Sequence, residues 1–88
     1  MAELIQEYTT HVRTPDGQTF VARAYGERHP DGTWIGWLEF EPVDRRGPVL
    51  RTERETSQAT REAIAVWASG LEATYFEGAF ARAQVVSA

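Results

Sequence analysis

Glu39 and Glu41 are the side chains whose type and spacing best fit acid–base chemistry. They lie two residues apart in the sequence, and in a strand this spacing puts both carboxylates on one face, roughly 7 Å apart. Paired carboxylates can act as a general acid and a general base. A general acid needs a raised pKa, whereas neighbouring arginines lower the pKa of a carboxyl group. The surroundings of Glu39 therefore decide between a chemical and a structural role.

No other residues form a recognisable catalytic arrangement. Ser57, Ser69 and Ser87 lie outside any GxSxG sequence, the turn that exposes a serine nucleophile. With only His11 and His29 as histidines and no cysteine, the chain lacks the clustered donors of a typical zinc site. The sequence therefore predicts a non-enzymatic protein with no catalytic residue, no metal and no cofactor.

Length and composition limit the class of protein to which these residues belong. A chain of 88 residues encloses one core, so we expect a single domain over residues 1–88. Segment 1–10 has neither a basic start nor an apolar run, which predicts no signal peptide and no membrane contact. All nine basic residues are arginine, a bias that we interpret as GC-rich codon usage. A small soluble, cytoplasmic, prokaryotic protein is the expectation.

Two Pro-Asp-Gly turns organise the first half of the chain. Segments 14–17 and 29–32 each place proline, aspartate and glycine in the order that suits a hairpin turn ending in a left-handed glycine. A third reversal falls between Pro42 and Pro48, where prolines at both ends stop regular pairing. Four strands in an antiparallel meander are predicted, near residues 7–13, 18–27, 33–41 and 48–53.

The second half of the chain is predicted to be helical. Ser57 is the expected N-cap of a helix over 58–69, and Gly70 is its expected left-handed terminator. Segment 71–84 has apolar residues at helical spacing, and its β-forming residues leave a strand open, but a second helix is favoured. Residues 85–88 are expected to fray. The predicted fold is α+β in two layers, a four-stranded antiparallel meander followed by one or two C-terminal helices packed on one sheet face.

The turns also set a register between the strands. It places Tyr8 opposite Ala24, and it places Gly26 opposite Gly36 as a site of sheet twist or close approach. One sheet face then collects the expected core, which is Tyr8, Val12, Phe20, Ala22, Ala24, Trp34, Leu38, Phe40 and Leu50.

On the opposite face the same register answers the question raised by Glu39. This residue falls between Arg23 and Arg51 on the neighbouring strands, and two flanking arginines hold a carboxyl group in its ionised form. The prediction is an Arg-Glu-Arg ladder that fixes register and keeps the sheet soluble, not an acid–base pair.

Trp37 is the large apolar side chain that lacks a core position. Alternation places it on the face opposite the core, near Tyr25 and Ile35. Exposed aromatic side chains beside arginine are typical of protein interfaces, so we predict that this face binds a protein partner or a second copy of the chain. Cover by a terminal segment is the open alternative. The interface candidates are Trp37, Tyr25, Ile35, Arg23, Arg51 and Glu39.

Single-stranded nucleic-acid binding on the same face is the alternative function. Tyr25, Trp37 and the nearby arginines resemble in kind a platform on which bases stack. Several glutamates share this face, and the net charge of −4 gives no basic surplus to attract phosphates. Nucleic acid is therefore the disfavoured partner.

Three sequence blocks carry a resemblance to other proteins. The blocks are DGTWIGWLEF at 31–40, LRTERETSQA at 50–59 and WASGLEATYFEGAFARA at 67–83. With them the chain resembles a group of small uncharacterised prokaryotic proteins that have no known activity. The resemblance implies a stand-alone domain of this length and carries no functional residue over.

Overall fold

The two Pro-Asp-Gly segments form the turns that join the first three strands, as predicted. A computed structural model describes residues 1–86. In it the glycines Gly17 and Gly32 have φ values of 91° and 88°, the left-handed region in which glycine avoids a steric penalty. The first turn is closed by the Gly17 N–H, which donates to the Thr14 carbonyl at 3.0 Å. The strands joined by these turns are β1 (Glu3–Arg13), β2 (Thr19–Arg28) and β3 (Trp34–Pro42).

The remaining elements complete an antiparallel sheet and a layer of helices. They are β4 (Leu50–Arg51), β5 (Thr56–Gln58), α1 (Arg61–Ser69), α2 (Ala73–Arg82) and β6 (Gln84–Val85). The sheet runs in the order β1-β2-β3-β4-β6, and β5 pairs with β3 beside β4. The α+β class, the antiparallel meander and the helices on one sheet face are confirmed, and the second helix is present. Neither helix within residues 1–86 is long and apolar enough to cross a membrane.

The predicted register is correct between β2, β3 and β4 and wrong along much of β1. Ala24 pairs with Leu38, as predicted, but its partner on β1 is Gln6 and not Tyr8. The irregularity between Glu7 and His11 shifts the pairing by two residues and causes this difference, and a second one between Leu4 and Gln6 shifts the pairing by one more. Each bulge adds residues to β1 without adding them to β2 and locally interrupts the ladder. Tyr8 still reaches the core, where its hydroxyl donates to the Ala68 carbonyl at 2.7 Å.

The fourth strand is shorter than predicted because a side-chain hydroxyl, that of Thr52, replaces a backbone carbonyl as the acceptor for β3. β4 ends at Arg51, and the Thr52 hydroxyl then accepts from the Leu38 N–H at 3.0 Å while the Thr52 N–H donates to the Leu38 carbonyl at 2.9 Å. The chain contacts β3 again at Glu55, whose N–H donates to the Gly36 carbonyl at 2.8 Å. Residues 52–55 form a loop, followed by a strand, β5, that was not predicted.

The start and the end of the first helix also differ from the prediction. Ser57 is not an N-cap, because it pairs with Ile35 in β5. Thr60 caps the helix instead, and its side chain accepts from the Ala63 N–H at 3.1 Å. Gly70 ends α1 in a right-handed conformation, with φ −94° and ψ −2°, so the expected left-handed terminator is wrong. Helix α1 therefore begins only after the chain has paired with β3.

The core lies between the sheet and the two helices. Helix α1 contributes Ile64 and Ala68, and α2 contributes Phe76 and Ala79, all of them buried. Gly26 and Gly36 face each other as predicted, and the close approach is that of α1, whose Ile64 lies near both glycines. Most of the predicted core is confirmed, with Trp34 half-buried at the start of β3. The buried core cluster is Tyr8, Val12, Phe20, Ala22, Ala24, Leu38, Phe40, Ala68, Phe76 and Ala79.

The end of the described chain is paired, and the expected fraying is wrong there. Gln84 pairs with Arg51 and Val85 with Leu50. The Val86 N–H donates to the Val49 carbonyl at 3.0 Å. Ser87 and Ala88, the rest of the segment expected to fray, lie outside the described residues.

Candidate functional site

The sheet face opposite the helices carries every interface candidate. We call it the outer face. Strand alternation places its residues on this side, and both helices pack on the other side, so within residues 1–86 no helix covers it. The outer face includes Leu4, Glu7, Val21, Arg23, Tyr25, Ile35, Trp37, Glu39, Glu41 and Arg51.

Trp37 is buried on this face, contrary to the expectation that it is exposed. Only 4% of the residue is accessible. The Tyr25 ring stacks beside it, with centroids 6.2 Å apart and an interplanar angle of 14°. The Arg51 guanidinium carbon lies over the indole, 4.2 Å from the ring centroid. Neighbours on its own face thus cover Trp37, in a combination of stacking and cation–π contact.

The predicted Arg23-Glu39-Arg51 ladder has the correct backbone register but different side-chain pairs. Arg23 donates from Nε to Glu7 Oε1 at 2.8 Å and from Nη1 to Glu41 Oε1 at 2.7 Å. Hydrogen bonds to these two carboxylates raise the pKa of Arg23. Glu7 lies directly opposite Arg23 on β1, and Glu41 is a diagonal neighbour on β3, within reach of a long side chain. Arg23 binds these two carboxylates and not Glu39, which lies directly opposite it on β3.

Glu39 and Arg51 both interact with Trp37 and not with each other. The Trp37 indole Nε1–H donates to Glu39 Oε2 at 3.1 Å, and Arg51 lies over the ring. The two carboxylates that first suggested acid–base chemistry, Glu39 and Glu41, are therefore each held by a different donor. Their arrangement supports a structural role for both.

A groove borders Trp37 at one side of the outer face. It lies between β3, the loop at 52–54 and β6, and it has a volume of about 410 Å³. We call it the Trp37 groove. Its apolar lining comes from Ile35, Trp37, Val85 and Val86, and its basic lining comes from Arg51 and Arg54.

Acidic and titratable side chains also line the Trp37 groove. They are Glu27, Glu53 and His29, and Glu27 Oε2 lies 3.8 Å from His29 Nε2. Within the described chain neither Arg51 nor Arg54 has a carboxylate within ion-pair distance. The lining of the groove is thus more polar than apolar, and it contains two arginines and two glutamates.

A second cluster, which sequence reasoning missed, joins α2 to the loop between β4 and β5. The Tyr75 hydroxyl donates to Glu55 Oε1, and Arg82 Nη2 binds the same oxygen at 2.6 Å. The Glu55 side chain is only 8% exposed. Burial and the Glu55 carboxylate raise the pKa of Tyr75 to about 12, so this phenol is a weaker acid than usual. Tyr75 and Arg82 are seven residues apart on one helix, two turns, which is the signal that could have indicated a shared partner.

The remaining chemistry-bearing residues do not come together. Among residues 1–86 no three His, Asp or Glu side chains are grouped closely enough to hold a metal ion. Comparisons of the chain with protein-family models, with curated proteins and with solved structures find no match. The outer face and its groove are therefore the features from which a function can be argued.

Proposed function

We propose that this chain is a non-enzymatic protein-interaction module that forms a homodimer through its outer face. The observation that supports this proposal is the one-sided packing of the sheet. Both helices lie on one side, while the outer face presents half-buried apolar side chains such as Val21, Tyr25 and Ile35 next to Leu4, which is 50% exposed. Accessible apolar side chains on a sheet face without a helix over it are typical of an interface.

The broad side of the molecule is large enough to bind a second copy of the chain. The described chain is a slab of 41 × 29 × 18 Å, and its broad side exceeds the roughly 800 Å² that each partner contributes to an interface of standard size. The outer face also offers the same surface in both copies, as a twofold interface requires. A second copy therefore finds enough area without any rearrangement of the helices.

The charge pattern of the outer face is compatible with self-association. Arg23 is flanked by Glu7 and Glu41 in ion pairs, so the centre of the face has no block of one sign. Like charges placed opposite each other would oppose a twofold interface, and Arg23 offsets one of the two carboxylates that it binds, which lowers the cost of covering them. Tyr25 and the cation–π pair supply the aromatic and arginine side chains that are enriched in interface centres.

Light scattering after size exclusion, from micromolar to millimolar concentration, tests the proposal. Wild type is expected to approach twice the monomer mass as concentration rises. Tyr25→Glu, at the centre of the face, and Leu4→Glu, at its exposed edge, are expected to weaken association at least about tenfold, because a charge is then buried without a partner. Leu4→Glu keeps the test decisive if Tyr25→Glu does not fold.

Val66→Glu is the matched control for this experiment. Val66 is 71% exposed on α1, away from the outer face, and its replacement by Glu changes the net charge as the Leu4 variant does. The control is expected to associate like wild type. A wild-type chain that stays monomeric at millimolar concentration, or a Val66 variant that loses the dimer equally, overturns the proposal.

Single-stranded nucleic-acid binding, the alternative from the sequence, gains no support from the geometry. A base needs an open aromatic ring on which to stack, but the indole of Trp37 is covered by Tyr25 and Arg51. Arg23, a further candidate for phosphate contacts, already binds two carboxylates.

A further inference from the structure

Both Pro-Asp-Gly turns contain a peptide bond that can rearrange without an enzyme. Asp16 precedes Gly17, and Asp31 precedes Gly32. The nitrogen of a glycine that follows aspartate can attack the aspartate Cγ, because glycine has no side chain to hinder the approach. A C–N bond forms, the amide proton and a carboxyl hydroxyl leave as water, and a cyclic imide results. Water then opens the ring, and opening at the α-carbonyl gives isoaspartate, with one more carbon in the backbone and an unchanged mass.

Hydrogen bonds oppose this reaction while the turns are closed. Both glycine nitrogens donate to the carbonyl three residues earlier, at 3.0 Å in the first turn and 2.9 Å in the second. The Thr14 hydroxyl donates to the Asp16 carboxylate and lowers its pKa. The Thr33 N–H donates to Asp31 Oδ1 at 2.9 Å and lowers the pKa of that carboxyl group. Ring closure needs a protonated carboxyl group and a free nitrogen, so it has to await an opening of the turn.

The two turns differ in how firmly the strands beside them are held. The first turn joins β2 to β1, the outermost strand. Only three paired residues of β1, His11–Arg13, lie between that turn and the larger interruption of the β1 ladder. The second turn joins β2 to β3 at the end of nine consecutive pairs, and Trp34, the first residue of β3, also pairs with Gln58 of β5. The first turn therefore ends a short edge segment, whereas the second ends a long ladder in which β3 is paired on both sides.

We propose that Asp16 is a site of isoaspartate formation in the folded protein and that Asp31 is protected by its turn. Segments with few pairs at the edge of a structure open at a lower free energy than the whole molecule unfolds. Opening of segment 11–18 releases the Gly17 nitrogen and the Asp16 carboxyl group together, while the second turn stays closed. Both sites have the sequence Pro-Asp-Gly, so a difference between their rates in the folded protein arises from the fold.

Peptide mapping after several weeks at body temperature and mildly acidic pH tests this proposal. Cleavage after arginine puts the two sites in separate peptides, 14–23 and 29–45. Isoaspartate changes the chromatographic retention of a peptide at constant mass, and electron-transfer fragmentation identifies it. It is expected to accumulate at least about fivefold faster in peptide 14–23 than in peptide 29–45. The same chain unfolded in guanidinium chloride is the internal control, in which both peptides are expected to convert faster and at similar rates.

Val12→Ala tests whether opening at the end of β1 controls the reaction. Val12 is 8% exposed and pairs with Phe20 beside the first turn, so its truncation loosens this end of the hairpin. The ratio of conversion at Asp16 to conversion at Asp31 is expected to rise at least about threefold. Val66→Ala, at a site that is 71% exposed, is the matched control and should leave the ratio unchanged. Equal conversion or none at the two folded sites, faster conversion of Asp31, or an unchanged ratio in the Val12 variant overturns the proposal.

Discussion

Trp67 of α1 packs directly against the backbone of Gly36 in β3. A Cβ atom at position 36 would lie 2.9 Å from Trp67 Cζ3, and also 2.9 Å from Thr56 Cγ2. The glycine lets the helix approach the sheet more closely than any side chain would allow. This contact sets the distance between the two layers at the point where β5 joins the sheet.

Gly36→Ala is therefore expected to lower the free energy of unfolding by about 1–3 kcal/mol, the usual cost of overpacking a core. Urea unfolding followed by circular dichroism measures the change. Gly78→Ala is the matched control. Its added Cβ meets nothing closer than Arg82 Nη1 at 3.6 Å, and alanine in a helix is expected to stabilise by about 0.5–1 kcal/mol. A Gly36→Ala variant as stable as wild type would contradict the packing.

Thr52→Val is expected to destabilise the protein although it preserves the shape of the side chain. Thr52 is 2% exposed, and its hydroxyl is the acceptor for the Leu38 N–H. Without it a buried N–H loses its partner, at a cost of about 1–3 kcal/mol. Thr52→Ser keeps the hydroxyl and should lose much less stability in the same urea titration. If the valine variant is the more stable of the two, the hydrogen bond does not hold the end of β4.

Trp37→Ala should behave as a core substitution. Removal of a buried tryptophan costs about 3–5 kcal/mol, whereas a substitution at an exposed site changes stability by about 0.5 kcal/mol or less. Thermal unfolding distinguishes the two cases. Trp37→Phe retains a ring beneath Arg51 and should recover part of the loss. A small effect of Trp37→Ala would argue against the buried stack.

Stability is expected to fall in alkaline solution because of two tyrosines. The pKa values of Tyr8 and Tyr75 are raised from 10.0 to about 12, so folding favours their neutral forms. Their contribution is fully present below pH 10 and is lost as the pH rises from 10 towards 12. Unfolding measured across this interval, with phenolate absorbance as a second readout, checks the trend. Tyr75→Phe should make the decline shallower, and an unchanged slope would count against the Tyr75–Glu55 contact.

Local patterns were sufficient to predict much of the fold. Pro-Asp-Gly chemistry fixed the first two turns, and alternation then gave the pairing of Ala22 with Phe40 and of Phe40 with Leu50. The apolar spacing through Phe76 and Phe80 favoured a second helix over a strand, and α2 confirms the helix. In each case the signal lies within a few residues along the chain, and the hydrophobic core reinforces it.

The errors arise where a distant contact overrules a local preference. Ser57 is a good N-cap residue, but the free edge of β3 pairs it into a strand. The bulges in β1 have no local signature in the sequence. The predicted partner of Arg51, Glu39, was also wrong, because Arg51 contacts the Trp37 ring. The register alone does not show whether an arginine contacts a ring or a carboxylate.

The bulges of β1 have a further consequence for how copies of this chain can assemble. β1 is the outermost strand at one side of the sheet, and its ladder is interrupted at two places. A regular edge would accept one new strand after another and lead towards filaments, whereas an irregular edge discourages such growth. Two outer faces that pack against each other are both buried in the pair. Association through the outer face would therefore end at a pair.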